Sequence, residues 1–437
     1  MRWVISGTMN VPKPQHSAQE VEHAMQPMAR DPEHRVVVVG LPAAGIAELG
    51  DSALDALRQA DVIIGSWRQL NLLDETHTAE KRPWPSPLRP SIVPMFEQLQ
   101  HKKVVVLGSG DPMFHGIGTT LHQELQGWDI HVIPHASSAS LACARMGWAV
   151  EHTPVLSLTT EPLESVLPPV RQHRRSLVLG RDESSPLAIC TLLARHGIEA
   201  RMSVLSDLGS PDEQIHHGTT LVPPKVESSL NVIAIELAPS MQLESKAPGS
   251  PDEQFQHDGQ ISKRHIRALS AAALAPSAGE TLWDVGAGSG SVGIECLRLE
   301  PSCKVVAFEA NAQRSERIEA NAAAFGVSSR LSLLGSAPVA FDQAPAPDAV
   351  FIGGGLTQDE VFDAAWQALK PGGRLVANGV TNESMSMLIA LQARFGGELH
   401  TIQIATQHHI GRFSAQQPAL PVMQWVVKKA NVESVDS

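Results

Sequence analysis

The chain contains no tyrosine, only four cysteines, and no apolar run of the about 18 residues that a membrane-spanning helix requires. Without tyrosine, the phenol is removed from every acid–base or nucleophilic scheme. Cys143, Cys190, Cys296 and Cys303 show no CxxC spacing, and most sit inside apolar stretches. That pattern argues for reduced core residues of a cytoplasmic protein rather than a disulfide or zinc framework. Positive charge is also short, at 34 − 46 = −12, and evenly so: 20 − 27 = −7 over residues 1–250 and 14 − 19 = −5 over 251–437. No basic tail hides inside the total, so nucleic acid and anionic membrane are poor partners. Residues 1–34 lack the apolar stretch and cleavage site of a signal peptide, and are expected to form a loose extension.

What is present fits a large α/β protein. At 437 residues and 43% hydrophobic, the chain has material for two or more cores. Short β-branched runs alternate with longer amphipathic ones throughout. In the first half, strands are expected at 36–39, 62–64, 104–107, 130–133, 155–158, 176–179, 202–205 and 232–235. Helices are expected at 52–60, 116–125, 138–146 and 186–196, the last capped by Ser185 ahead of Pro186. Residues 238–256 are rich in Pro, Ser and charge, lack either hydrophobic period, and are expected to be a linker. The pattern then restarts: helix 262–274, strand 281–285, helix 292–298, strand 304–309, helix 312–325, and strands near 331–334, 349–352 and 374–377. Helices at 359–369 and 383–395 follow, then two β-rich segments, 399–405 and 422–427, with a short connection. Parallel strands closed by an antiparallel pair make a doubly wound sheet. The expected division is 35–237 and 257–428, with 429–437 a tail.

The strongest local signal is Leu282-Trp283-Asp284-Val285-Gly286-Ala287-Gly288-Ser289-Gly290, an apolar strand running into glycines spaced two apart and then a helix. Glycine lets backbone turn sharply and come close to a ligand. Glu309 falls about twenty residues on, at the tip of the next strand, where a carboxylate can accept both hydroxyls of a ribose. With Asp opening the motif, the block resembles the first motif of Rossmann-like S-adenosylmethionine methyltransferases. The resemblance implies cofactor contacts from Asp284, Gly286, Gly288, Gly290 and Glu309, from Ser336 and Ala337 beside the adenine, and from Gly353 at the fourth strand. That strand ends in Gly353-Gly354-Gly355 rather than the Asn/Asp-Pro-Pro-aromatic of amine methylases, which argues against nucleic-acid or glutamine substrates.

Upstream stands His257-Asp258-Gly259-Gln260-Ile261-Ser262-Lys263-Arg264. Together with the glycine turn, Phe351 to Gly355, and Pro421 to Trp425, it resembles the 15-methylating, decarboxylating methyltransferases of cobalamin biosynthesis. His257, Asp258, Gln260 and Lys263 are the candidate catalytic groups. Arg264 and Arg412 are candidate cations for substrate carboxylates; the alternative for Lys263 and Arg264 is a solvated helix start. His216-His217 and His408-His409 lack ligand spacing and read as surface residues, and no metal-ligand cluster is evident.

In the first half, Val104 to Phe114 is again a strand entering a glycine turn, here Gly108-Ser109-Gly110-Asp111-Pro112-Met113. It lacks the Lys-Ser/Thr of a phosphate-binding loop. With Val36 to Gly45, Ser137-Ser138 before a helix, and Leu208 to Glu213, it resembles the two-lobed tetrapyrrole methylase family. The resemblance implies a second S-adenosylmethionine site formed from Gly108, Ser109, Gly110, Asp111, Met113, Ser137 and Ser138. His115 beside the loop is as consistent with a structural residue as with a proton carrier. The chain departs from that family at Gly40 to Gly45 and at Thr159-Thr160-Glu161, where many members have His-Gly-Arg.

The two families in this order resemble the fused precorrin methyltransferases of cobalamin biosynthesis. That implies methylation of a small-molecule tetrapyrrole at meso carbons 5 and 15, decarboxylation of the ring C acetate, two cofactor sites, a cytoplasmic location and self-association. Two alternatives remain: one active domain on a corrinoid-binding chain, or a methyltransferase for another small anionic substrate.

Overall fold

A computed structural model describes residues 31–74, 78–358 and 360–431. Most of the N-terminal extension, and residues 432–437 of the tail, lie outside them. The chain divides into two compact units. Among the described residues, the first spans 31–141 with 207–213, and the second 142–206 with 214–431.

The first unit is built on β1 (Asp31–Leu41), β2 (Val62–Gly65), β3 (Glu80–Pro83), β4 (Val104–Ser109) and β5 (Trp128–Ile133). They form a five-stranded sheet ordered β3-β2-β4-β1-β5, parallel throughout. The β-branched runs expected as strands occupy its centre because a parallel sheet is covered on both faces. Alternation along β4 divides the core: Val104 and Val106 pack with Ile92, Phe96 and Leu121, while Val105 and Leu107 pack with Leu49, Leu57 and Leu70.

The second unit holds two sheets and a hairpin. β6 (Val155–Ser157), β7 (Arg175–Leu179), β8 (Ala200–Ser206), β9 (Gln214–Thr219) and β10 (Asn231–Leu237) are ordered β6-β7-β10-β8-β9. Only β6 and β7 pair in parallel. The second sheet comprises β11 (Thr281–Val285), β12 (Lys304–Phe308), β13 (Leu331–Leu334), β14 (Ala349–Ile352), β15 (Arg374–Gly379), β16 (Glu398–Ile402) and β19 (Val422–Lys428). Its order is β13-β12-β11-β14-β15-β19-β16: five parallel strands, extended by antiparallel pairing of β19 to β15 and of β16 to β19. β17 (Ala405–Ile410) and β18 (Phe413–Pro418) form a separate hairpin.

Each strand and helix expected above is present within a few residues, and four strands come in addition. β3 and β9 are polar edge strands, specified by backbone pairing to β2 and β8 rather than by an apolar face. β17 and β18 replace the short connection expected before residue 422, and every residue in them is exposed, so no alternation marks them. Ser185 is the first residue of helix Ser185–Arg195 rather than its cap, and its Oγ accepts from the amides of Arg181 and Asp182.

The segment expected as a linker is fastened to its surroundings. Glu295, fully buried, accepts from the amides of Gly249 and Ser250, from Arg267 Nε at 3.2 Å and from Arg298 Nη1 at 2.8 Å. Arg267, also fully buried, donates to Asp252 at 2.9 Å and to the carbonyls of Ser250 and Ser262. Arg298 reaches the Ser245 carbonyl. Buried charges persist only when paired and hydrogen-bonded in this way.

Candidate active sites

In the seven-stranded sheet the strand order reverses between β11 and β14, and ligands of such sheets bind beyond the strand ends at that point. Gly286, Gly288 and Gly290 follow β11 with φ of +67°, +60° and +71°. The three meet different surroundings. A Cβ on Gly286 would lie 2.7–2.8 Å from the backbone of Gly354, so the turns after β11 and β14 pack backbone to backbone. A Cβ on Gly290 would lie 3.0 Å from the Ile318 side chain. At Gly288 the space is open, with only the Gln260 carbonyl near, at 3.9 Å.

Glu309, buried at the end of β12, faces this turn: its Oε2 accepts from Gly288 N at 2.8 Å and its Oε1 from Asn311 N at 2.9 Å. Its own amide donates to Leu334 O, which brings Gly335, Ser336 and Ala337 alongside. Gly353 N donates to Val285 O. An open glycine turn flanked by a ribose-height carboxylate fits the nucleoside end of S-adenosylmethionine.

Asp284 has a different place. Its Oδ2 accepts from Gly293 N at 3.0 Å inside helix Ser291–Leu299, and it is buried. Burial, aided by the nearby Glu309, pushes its carboxyl up to about 7 despite the amide bond. It fastens the helix to the strand behind the turn.

The block 257–264 is drawn together by residues that sequence reasoning missed. Arg314, on helix Ala312–Ala324, donates Nε to Asp258 Oδ2 at 2.9 Å and Nη2 to Gln260 Oε1 at 2.6 Å, and Arg317 lies 3.2 Å from the same carboxylate. The Arg314 bond holds the Asp258 carboxyl down at about 2, making it a fixed anion at neutral pH rather than a proton carrier. His257 Nδ1 accepts from Gly259 N at 3.0 Å, so a neutral ring carries its proton on Nε2. Lys263 is exposed, 3.9 Å from Asp252, and Arg264 is exposed at the head of helix Arg264–Leu274. Arg412 lies in the turn of the exposed hairpin, its guanidinium 5.0 Å over the Phe413 ring. No signal tied Asp258 to Arg314, because 56 residues separate them.

The loop after β4 is equally constrained. A Cβ on Gly40 would lie 2.1 Å from Gly110 O, and one on Gly108 would lie 3.0 Å from Pro112. Gly110, at φ +56°, donates its amide to Leu41 O and accepts from His135 N. The buried His135 Nδ1 has no hydrogen-bond partner among the described residues, an orphaned polar atom at the loop's edge that fits a ligand-bearing loop. Asp111 Oδ1 accepts from Met113 N, and Met113 is exposed. Ser137 Oγ accepts from Ser140 N at 3.0 Å and so caps the helix that Ser138 opens. Ser109 Oγ accepts from Arg68 Nη2 at 2.8 Å and Gln69 Nε2 at 3.0 Å, two further residues sequence reasoning missed. His115, at φ +50°, stacks edge-on to Phe114. His217 bonds Ser203 across β8 and β9, while His408 and His409 lie on the exposed hairpin.

A parallel-sheet unit with a Gly-Ser-Gly-Asp-Pro loop and a doubly wound sheet with an Asp-Val-Gly-Ala-Gly-Ser-Gly turn define a two-domain S-adenosylmethionine-dependent methyltransferase. Residues 35–221 match the family of tetrapyrrole (corrin/porphyrin) methylases, and 253–429 match the precorrin methyltransferase domain. The precorrin-6Y C(5,15)-methyltransferase [decarboxylating] of Mycobacterium tuberculosis (strain ATCC 25618 / H37Rv) is 44% identical over 399 residues, 90% of this chain and all of the relative. The Sinorhizobium sp protein of the same name is 41% identical over 397 residues, 89% of this chain and 95% of the relative. A probable cobalt-precorrin-6B C(15)-methyltransferase (decarboxylating) of Pyrobaculum aerophilum is 32% identical over 182 residues, 40% of this chain and 93% of that protein. The chain belongs to the family of precorrin-6Y C(5,15)-methyltransferases (decarboxylating).

Proposed function

We propose that the chain methylates precorrin-6Y at meso carbons 5 and 15 and decarboxylates the ring C acetate, in the corrin branch of cobalamin biosynthesis. Residues 35–237 carry the 5-methylation, and residues 257–428 carry the 15-methylation with decarboxylation. The full-length likeness to relatives bearing that name supports the reaction. The division gains support from the Pyrobaculum relative, whose name covers the 15-methylation with decarboxylation and not a 5-methylation, and whose match spans 40% of this chain.

The observation that carries the C-terminal site is the half-buried Gly288, with free space where a side chain would stand and its amide bonded to the buried Glu309. S-adenosylmethionine supplies, when bound, a methyl group already activated by sulfonium. Gly288 leaves room for the ligand to approach the protein backbone, Glu309 offers its remaining lone pairs to a ribose, and Ser336, Ala337 and Gly353 border the same turn. His257, Gln260, Lys263 and Arg264 stand on the substrate side, with Lys263 and Arg264 supplying charge for peripheral carboxylates. Alignment in a water-poor site lowers the barrier without a strong catalytic acid, because the reduced tetrapyrrole carbon is enamine-like and its conjugated system accepts the electron pair released on decarboxylation. In the N-terminal site Gly108 to Met113 and Ser137-Ser138 play the corresponding part. We read the enzyme as a cytoplasmic homo-oligomer; the four free, buried thiols support a reducing compartment. Calorimetric titration with S-adenosylhomocysteine tests the two-site account: two events per chain are expected, and a single event contradicts it.

A further inference from the structure

Ser109 is the exposed last residue of β4, and its surroundings determine where its proton goes. Ser66 N donates to Gln69 Oε1 at 2.8 Å; a backbone N–H can only donate, so that side-chain atom is the oxygen and the amide nitrogen faces Ser109. Arg68 likewise can only donate, and it does so to the same hydroxyl oxygen. Both lone pairs of Ser109 Oγ are thereby filled. The hydroxyl proton is left to point away from Arg68 and Gln69, toward an acceptor that the protein does not provide in any described hydrogen bond.

We infer that Arg68 and Gln69 are positioning residues that make Ser109 an obligate donor to a ligand carboxylate in the N-terminal site. An anionic acceptor is favoured because the guanidinium lies within hydrogen-bonding distance of the donating oxygen, and a charge-assisted bond is about twice as strong as a neutral one. Gln69 is buried and held by a capping box with Ser66, so the arrangement is set before any ligand arrives. Arg68 also gives this half of an acidic chain a cation beside its glycine loop. Two ligands of the site bear carboxylates, the methionyl end of the cofactor and the side chains of the tetrapyrrole.

The inference rests on the proposed N-terminal cofactor site. The test is calorimetric titration of the full chain with S-adenosylhomocysteine, with its descarboxy analogue, and with uroporphyrin III as an unreactive tetrapyrrole polycarboxylate. Wild type comes first: one S-adenosylhomocysteine event instead of two removes the two-site reading and the inference with it. With two events, Ser109→Ala and Gln69→Glu are expected to weaken binding at one site about tenfold and leave the other unchanged, with Ser109→Thr restoring it. Gln69→Glu discriminates positioning from shape, because it keeps the outline and the Ser109 hydroxyl but its carboxylate accepts that proton. A loss seen with S-adenosylhomocysteine and absent with the descarboxy analogue assigns the bond to the cofactor; a loss confined to uroporphyrin assigns it to the substrate. Unchanged affinity for all three probes in both variants overturns the inference and leaves the two-site reading standing.

Discussion

Gly286 and Gly288 share a sign of φ and differ in what a side chain would meet. A methyl group on Gly286 collides with the backbone of Gly354, whereas one on Gly288 enters the open space assigned to the cofactor. Both substitutions carry the left-handed penalty of about 1–2 kcal/mol. Gly286→Ala is therefore expected to lower the melting temperature distinctly more than Gly288→Ala. Gly288→Val is expected to abolish one S-adenosylhomocysteine event and the 15-methylation while 5-methylation stays measurable. Loss of both methylations from Gly288→Val would argue that the domains are not chemically independent. Asp284 gives a prediction with a sign. Its carboxyl is raised to about 7 in the folded protein, above the ordinary value of 3.8, so the native state holds a proton that the unfolded chain releases. That contribution is full below about pH 4 and is lost as pH rises to about 7. Asp284→Asn keeps an acceptor for Gly293 N, and the difference in melting temperature between variant and wild type should shift in the variant's favour across that range. Parallel curves would contradict the assignment.

Among elements, the strands and the glycine turn of the second half were legible because β-branched runs and glycine spacing are local properties. Helix Ala312–Ala324 was legible too, but its role was not: Arg314 and Arg317 clamp Asp258 and Gln260 from far along the chain, and no periodicity encodes that meeting. The same holds for Arg68 and Ser109, 41 residues apart. β3 and the hairpin were missed because polar or fully exposed strands carry no apolar alternation. Residues 238–256 read as a linker from composition alone, since the groups that fasten them, Arg267, Glu295 and Arg298, lie in helices beyond it. Removing the shared anion leaves the buried Arg298 guanidinium without its carboxylate and Arg267 with Asp252 alone, so Glu295→Gln is expected to cost about 3 kcal/mol in urea denaturation. Asp55→Asn, which breaks an exposed ion pair with Arg58, is expected to cost less than about 1 kcal/mol. Equal losses would contradict the role given to the network.

At the scale of the molecule, a chain of net charge −12 binds a polycarboxylate only where local cations outweigh the total. Lys263, Arg264 and Arg412 were the cations expected from sequence. Arg412 lies on the exposed hairpin, while Arg314 and Arg317 stand on Asp258 in the second candidate site and Arg68 on Ser109 in the first. Each half of the chain has its own glycine turn, and in the proposed function each turn serves one methyl transfer. Mass spectrometry of precorrin-6Y after incubation with the full chain and S-adenosylmethionine tests it most directly. The expected product has gained two methyl groups and lost one carbon dioxide; a precorrin of unchanged mass, or one carrying a single methyl group after exhaustive turnover, would contradict the proposed function.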